Sequence, residues 1–254
     1  MSLPNAMQLS GQNWLDKNCS ITVSGGDAVK PYLYDQKRAT QWQSSGSDDT
    51  VTETVTITFN DDSGAAVTRR IDMFILLNTN VRGLSASYTD AAGASHDIPD
   101  LNIADNEDEN LIIEFSDYAD ARTFTLSMAT TIEANGEKKI GELKLCELLI
   151  NLEALTSFSR KDYANQGHYY LKTGELVRWR EFSKVAGSLS LFNVSKDQRD
   201  ALNAAIANFD FLTFIFYSEY DASSVYEFAV TEMPSETFDR RTQLFEIGLE
   251  LTER

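Results

Sequence analysis

Cysteine and histidine are almost absent: Cys19, Cys146, His96 and His168 are the only ones in 254 residues. Two cysteines are too few for a disulfide scaffold, they lack the close C-x-x-C spacing of a zinc site, and the histidines stand apart from them, so no metal cluster reads out of these residues. Basic charge is scarce too. Lys and Arg total 22 against 39 Asp and Glu, a formal charge of −17, which leaves no cationic surplus to neutralise phosphates by counterion release and argues against nucleic-acid binding. Long apolar runs are missing: no stretch approaches the ~20 residues of a bilayer-spanning helix. The opening M-S-L-P-N-A-M-Q-L-S has neither the basic flank nor the apolar core of a signal peptide. The expectation is a soluble chain, outside the conventional secretory route and off the membrane. No glycosidase carboxylate pair, nucleophile elbow or phosphate loop occurs, so neither catalysis nor a cofactor is expected.

What the chain does have is alternation. The run Arg69 to Asn80, R-R-I-D-M-F-I-L-L-N-T-N, is apolar without interruption from Met73 to Leu77, too short for a stable helix and natural for a strand buried on both faces. Val51 to Phe59 alternates, with Val51, Val55, Ile57 and Phe59 on one face and Thr and Glu opposite. In R-T-F-T-L-S-M the residues Phe124, Leu126 and Met128 share a face. Shorter alternating segments at Cys19, Leu84 and Ile140, punctuated by Gly25-Gly26, N-D-D-S-G and Asn135-Gly136, recur at the spacing of a sandwich or barrel. The stretch up to Asn18 reads as an arm or edge segment with Trp14 as its anchor.

Near residue 153 the character changes. Up to Glu153 there are 24 acidic and 11 basic residues, net −13, while Ala154 to Arg254 holds 15 and 11, net −4. We therefore expect two domains, 1–153 and 154–254. In the second, Y-Y-L, the turn K-T-G-E and L-V-R-W-R-E-F read as a hairpin, and Gly187 leads into a further strand. Ser195-Lys-Asp-Gln198 has the form of a capping box, with Leu202, Ala205, Ile206 and Phe209 following at helical spacing, which predicts one helix ending near Asn208. Three alternating strands, F-L-T-F-I-F-Y, S-V-Y-E-F-A-V and Q-L-F-E-I-G-L-E-L, close the chain.

The stretch Leu33 to Trp42 (L-Y-D-Q-K-R-A-T-Q-W), the buried run at 69–80 and I-G-E-L-K-L from Ile140 together resemble the discoidin (coagulation factor 5/8 C-type) family over roughly residues 19–150. That family carries an A-x-D-G-D-x-x-T-x-W loop, a central apolar strand ending in Asn and a closing E-I-x-V strand. Asp35, Thr40, Trp42 and Glu142 match; Gln36 and Lys37 do not. The resemblance implies a jelly-roll β-sandwich, with Asp35, Lys37 and Glu142 in a structural loop where the family holds calcium and where the Lys37 ammonium replaces the metal by contacting Asp35 or Glu142. It also implies that the ends of the domain are close, so Cys19 and Cys146 are expected near each other, as free thiols in a reducing cytoplasm. The second part, a β-sandwich or barrel-like domain with one α-helix, is similar to domains of tailed-phage tail proteins. Together the two imply a structural component of a phage tail: a ring at the tail tip or baseplate, commonly a hexamer, partnered by itself and other tail proteins, assembled in the host cytoplasm and resident in the virion. The alternative is a carbohydrate-binding adhesion module without ring assembly.

Site residues carry two readings each. Tyr34, Trp42 and Tyr88 offer an aromatic platform for a host-surface glycan or, more simply, packing at strand ends. Arg178, Trp179 and Arg180 offer phosphate or glycan contacts or, as alternating arginines on a hairpin more often do, subunit salt bridges for assembly. The acidic loop Asp105, Glu107, Asp108 and Glu109 has oxygen ligands but not the spacing of an EF-hand, and reads as a solvated charge run. His96 is expected to be exposed, and nothing in the spacing gives His168, beside Tyr169 and Asp162, a catalytic role.

Overall fold

A computed structural model describes residues 7–11, 13–35, 40–46, 48–152, 156–170, 176–216 and 224–253. In chain order the strands are β1 (Met7–Ser10), β2 (Cys19–Val23), β3 (Trp42–Gln43), β4 (Glu53–Phe59), β5 (Arg69–Leu77), β6 (Val81–Thr89), β7 (Ser95–Asp97), β8 (Leu111–Ala121) and β9 (Thr123–Thr131). They continue with β10 (Lys139–Ile140), β11 (Glu142–Cys146), β12 (Leu148–Leu152), β13 (Thr156–Tyr170) and β14 (Leu176–Val194). After the helix α1 (Lys196–Asn208) come β15 (Leu212–Phe216), β16 (Ser224–Val230), β17 (Ser235–Asp239) and β18 (Leu244–Glu253), and short 3-10 turns lie at Trp14–Asp16, Asp27–Leu33 and Pro99–Leu101. The fold is mainly β, as the alternation predicts. Two compact units result: Gln12–Leu148, and a second that joins Met1–Gly11 to Leu149–Arg254.

Gln12–Leu148 is a jelly-roll sandwich. One sheet runs β2-β4-β9-β6-β7, the other β11-β5-β8, and β10 pairs with β3. Val55, Ile57 and Phe59 of β4 and Phe124, Leu126 and Met128 of β9 are at most 1% exposed, each contributing about 1.5–3 kcal/mol of burial free energy. Strand β5 lies between β11 and β8 and is buried at every position from Ile71 to Leu77, which is why it lacks alternation. Phe74 stacks on Phe124 with ring centroids 6.3 Å apart and so joins the two sheets. One detail of β4 departs from expectation: Val51 lies ahead of the strand and is 46% exposed, whereas Glu53 faces inward at 5% exposed. The Ser24 hydroxyl donates to that carboxylate, which gives the buried charge a partner.

The segment Met7–Ser10 is not an arm. All four residues of β1 are buried, and β1 pairs with β15 from Met7↔Phe216 to Ser10↔Thr213. Residues 1–11 therefore group with the C-terminal unit, because their apolar strand finds its hydrogen bonds there. The next segment is stitched to the jelly roll by Asn13, whose amide donates to the Leu143 carbonyl at 3.1 Å while its oxygen accepts from Leu145 N at 3.0 Å. Trp14 is the anchor expected, its indole N–H donating to the Arg70 carbonyl at 2.8 Å.

The second unit is built on an eight-stranded sheet, β12-β1-β15-β16-β18-β14-β13, with β17 paired to β18. The hairpin read at 169–182 is far longer than expected: β14 runs without a break through Gly187, and β13 follows it from Thr156↔Leu191 to Tyr170↔Leu176. Strand β18 covers β14 only between Ala186 and Val194. Helix α1 starts at the expected capping box, with Ser195 Oγ accepting from Gln198 N at 3.2 Å and Gln198 Oε1 accepting from Ser195 N at 3.0 Å. Leu202 and Ala205 pack into one core with Leu189, Phe214, Phe228 and Leu249. Sequence patterning passes over β17 because all five of its residues are exposed, so no buried period marks it.

Candidate functional site

Alternation in the five-stranded sheet turns the large apolar residues inward and leaves Ser and Thr outside. Register then aligns the hydroxyls across strands. Thr22, Thr56, Thr125 and Ser87 are successive partners, and so are Ser20, Thr58, Thr123 and Thr89. Asp97 pairs with Ser87 and Ser95 with Thr89, ending the two rows. The hydroxyls of Thr56 and Thr125, and of Thr58 and Thr123, lie 3.4 Å apart and are mutual hydrogen-bond partners.

Toward β6 this face deepens into a cleft of about 550 Å³, lined by Ser85, Ala86, Ser87, Asp97, Ile98, Pro99, Asn102 and Ser127. Its wall is the segment after β7. Ile98 N donates to the Ala86 carbonyl at 2.9 Å, and Ile103 exchanges both backbone hydrogen bonds with Leu84 at 2.8 and 2.9 Å. Between those ties, fully buried Leu101 wedges the Pro99–Leu101 turn, and Asp100 accepts from Ser116 N and Oγ at 2.8 and 2.9 Å. The wall is thus held on both sides. Among the described residues, the side-chain polar groups of Ser85, Ser87, Asp97, Asn102 and Ser127 have no hydrogen-bond partner in the protein. Hydroxyls that both donate and accept, an amide that does the same and a carboxylate that only accepts converge on one opening, and Pro99 adds a small apolar surface. Such a set matches an uncharged molecule rich in hydroxyls.

The residues singled out from sequence are distributed differently. Trp42 is fully buried and its indole donates to the Gly25 carbonyl at 3.2 Å, so it packs rather than offering a face to a sugar. Tyr88 stands opposite Phe124 in the register, away from the Ser87 side of the sheet, and stacks on His96 at 5.0 Å. His96 is exposed, as expected, and its hydrogen bond to Asp90, 3.1 Å, holds that carboxyl below the usual range. Tyr34 is half-buried just after the Asp27–Leu33 turn. Among the described residues no ring contact joins these three aromatics, so there is no common platform.

In the family-like loop, Thr40 Oγ1 donates to both Asp35 oxygens, at 2.7 and 2.9 Å. Lys37 lies outside the described residues. Glu142 has a cation on its own strand instead: Lys144 Nζ is 2.5 Å from its Oε1, with the two side chains 4% and 6% exposed. An ammonium thus stands against the carboxylate that the discoidin pattern assigns to calcium, and the described donor set does not fit the metal there. In the acidic loop Asp105 pairs with Arg82 at 2.9 Å, and buried Asn106 donates to Val81 and Asp108 carbonyls at 2.8 and 2.7 Å, a folded surface turn. Backbone register sets Arg178, Trp179 and Arg180 opposite His168, Gly167 and Gln166 in the long hairpin; their side chains lie outside the described residues. Neither cysteine is in a disulfide, Cys146 is buried, and burial followed by the nearby Asp16 charge pushes the Cys19 thiol up to about 11.

Two features escaped sequence reading. The cleft is one, although the outward positions of two alternating strands, S-x-S at 85–87 and T-x-T-x-S at 123–127, carry the hydroxyls of Ser85, Ser87 and Ser127 that line it. The other is Lys138, fully buried, whose ammonium donates to the Val51 carbonyl at 2.8 Å and to that of Asp48. Nothing in a lone K-K dipeptide announces that.

No family model matches this chain, and no curated protein matches it. Solved structures are similar to it over about half its length. CpGH89CBM32-6 produced by Clostridium perfringens has 15% identity and a TM-score of 0.43, covering 53% of this chain and 98% of that one. The family 32 carbohydrate-binding module of C. perfringens NanJ, in complex with galactose, has 12% identity and a TM-score of 0.43, covering 55% and 99%. Chitosan-binding module 1 from a chitosanase/glucanase of Paenibacillus sp. IK-5 has 12% identity and a TM-score of 0.42, covering 53% and 98%. These are likenesses of fold.

Proposed function

We propose that the Gln12–Leu148 unit is a carbohydrate-binding module, with the Ser85–Ser127–Asp97–Asn102 cleft as its site and no catalytic step. One observation carries this: five polar side chains without protein partners converge on an open, rigidly walled cleft. A sugar can exchange its water hydrogen bonds for bonds to these groups without leaving any of them unmatched. Asp97 is the strongest of them, since a carboxylate accepting from sugar hydroxyls makes charge-assisted bonds. With a chain charge of −17 and Asp97 in the cleft, neutral glycans are favoured over acidic ones. The test is a glycan array probed with the full chain and with Asp97→Ala. Retention of neutral glycans, weakened about tenfold or more by the substitution, is the expected result. If no glycan is retained, or if Asp97→Ala retains the same ones equally well, the cleft is not the site.

A second reading, a structural ring in a phage tail with the protein assembled in the host cytoplasm, is supported by the long hairpin. Beyond the cover of β18, β13 and β14 continue as a two-stranded ribbon from Asp162↔Val185 to Tyr170↔Leu176. Such a ribbon is marginal alone in water and gains stability by pairing with a neighbouring subunit. Electron microscopy of the concentrated full chain decides: closed rings support it, and monodisperse single copies remove it.

A further inference from the structure

We infer that the ligand is a linear, uncharged oligosaccharide which leaves the cleft and continues across the strands, lying on the Ser and Thr rows of the five-stranded sheet. This rests on the glycan-binding reading of the cleft and extends it from a pocket to a track. The row from Asp97 through Ser87, Thr125 and Thr56 to Thr22 crosses the whole sheet. It spans four strand spacings, about 19 Å at ~4.8 Å each, which is several sugar rings long.

The chemistry of the rows selects the occupant. In a chain of −17, Asp97 is the sole charged residue of the two rows and the cleft, and no aromatic or large aliphatic side chain stands among the row positions. A polyanion would meet no cation there. A protein partner would find neither the aromatic and arginine anchors nor the charge pairs that make protein interfaces tight. A polyol finds both halves of what it needs, because each Ser or Thr hydroxyl donates once and accepts twice, as each sugar hydroxyl does. The coupled pairs Thr56–Thr125 and Thr58–Thr123 hold their rotamers before ligand arrives, and the sheet backbone fixes their spacing, so little ordering is left for binding to accomplish. Threonine methyl groups between the hydroxyls give the C–H faces of the rings an apolar bed.

The experiment is calorimetric titration of the full chain with glucose, xylose and N-acetylglucosamine and with the β-linked hexasaccharides of each, alongside Thr56→Ala/Thr125→Ala. Affinity for at least one hexasaccharide about tenfold or more above its monosaccharide, with that gain lost in the double variant, is the expected result. Equal affinity for monosaccharide and hexasaccharide overturns the track and leaves the cleft standing. No binding by any of the probes, repeated on a broad neutral array, overturns the cleft and the track together. If the double variant binds normally but changes the particle size in light scattering, the rows are a contact between copies and the track is overturned. Thr22→Ala, at the exposed far end of the row, keeps the length test available if the double variant fails to fold.

Discussion

Replacing Lys144 by Met isolates the ion pair that stands where the discoidin pattern places a metal. Met keeps most of the aliphatic stem and removes the ammonium that pairs with the buried Glu142 carboxylate, a residue 4% exposed. Removing one partner of a buried pair costs about 3–5 kcal/mol, because the surviving charge keeps its desolvation penalty. For a unit of this length each kcal/mol moves the melting midpoint by roughly 2–4 °C, so the jelly-roll transition should fall by about 10 °C in scanning calorimetry at neutral pH. Glu142→Gln, which keeps the ammonium and removes the carboxylate charge, should cost a similar amount. Glu142→Leu/Lys144→Met should recover part of the loss, since two apolar side chains need no partner. A loss below about 1 kcal/mol in Lys144→Met, or a calcium-induced rise in the wild-type midpoint, refutes the reasoning that an ammonium fills the metal's place.

Acid should loosen the loop around Lys138. Asp49 is held below the usual carboxylate range by the Asn135 N–H first, then by Thr131 and by Lys138; a depressed folded value means stability present above about pH 4 and lost as pH falls through the folded value. Melts from pH 7 to 3 should show an acid limb that is shallower in Asp49→Asn, and identical limbs would remove Asp49 from its cause. The cysteines should stay reduced and slow to react: with Cys19 pushed up to about 11 and Cys146 buried, alkylation of the native chain at pH 8 should label neither thiol quickly. Rapid labelling of Cys19, or a disulfide in freshly alkylated lysate seen by mass spectrometry, would contradict that.

Period-two alternation made the sandwich legible, because burial on one face is written into every second residue of β4 and β9, and the uninterrupted run at 73–77 marked the strand covered on both sides. The capping box at Ser195 located α1 to within a residue of its start. The site was less legible for physical reasons. A Trp at a strand end carries the same letter whether it packs inside, as Trp42 does, or faces solvent. A carboxylate's partner two residues along a strand, Lys144 beside Glu142, looks like any polar alternation until both faces of β11 prove to be buried. The cleft needs three strands in register, β6, β7 and β9, and a register between segments as distant as Ser85 and Ser127 is not local information.

The misplaced beginning of the chain has the largest consequence. Strands β1 and β12 are neighbours in the eight-stranded sheet, so the chain leaves the C-terminal unit after Ser10, builds the entire jelly roll, and returns one strand over. In sequence the jelly roll is an insertion, and domain insertion is tolerated where entry and exit strands lie close together, as they do here. Folding should follow the same logic. The jelly roll closes from a continuous segment, whereas Met7 must find Phe216 after the rest of the chain has been made, a pairing of high sequence separation and correspondingly slow. Cutting the chain at residue 153 would therefore take β1 away and leave β15 with an open edge, which invites pairing between copies. A clean separation joins Gly11 to Leu149 through a short flexible linker, keeping β1 beside β15. Only in that form does the size of the C-terminal unit report on its own tendency to form rings.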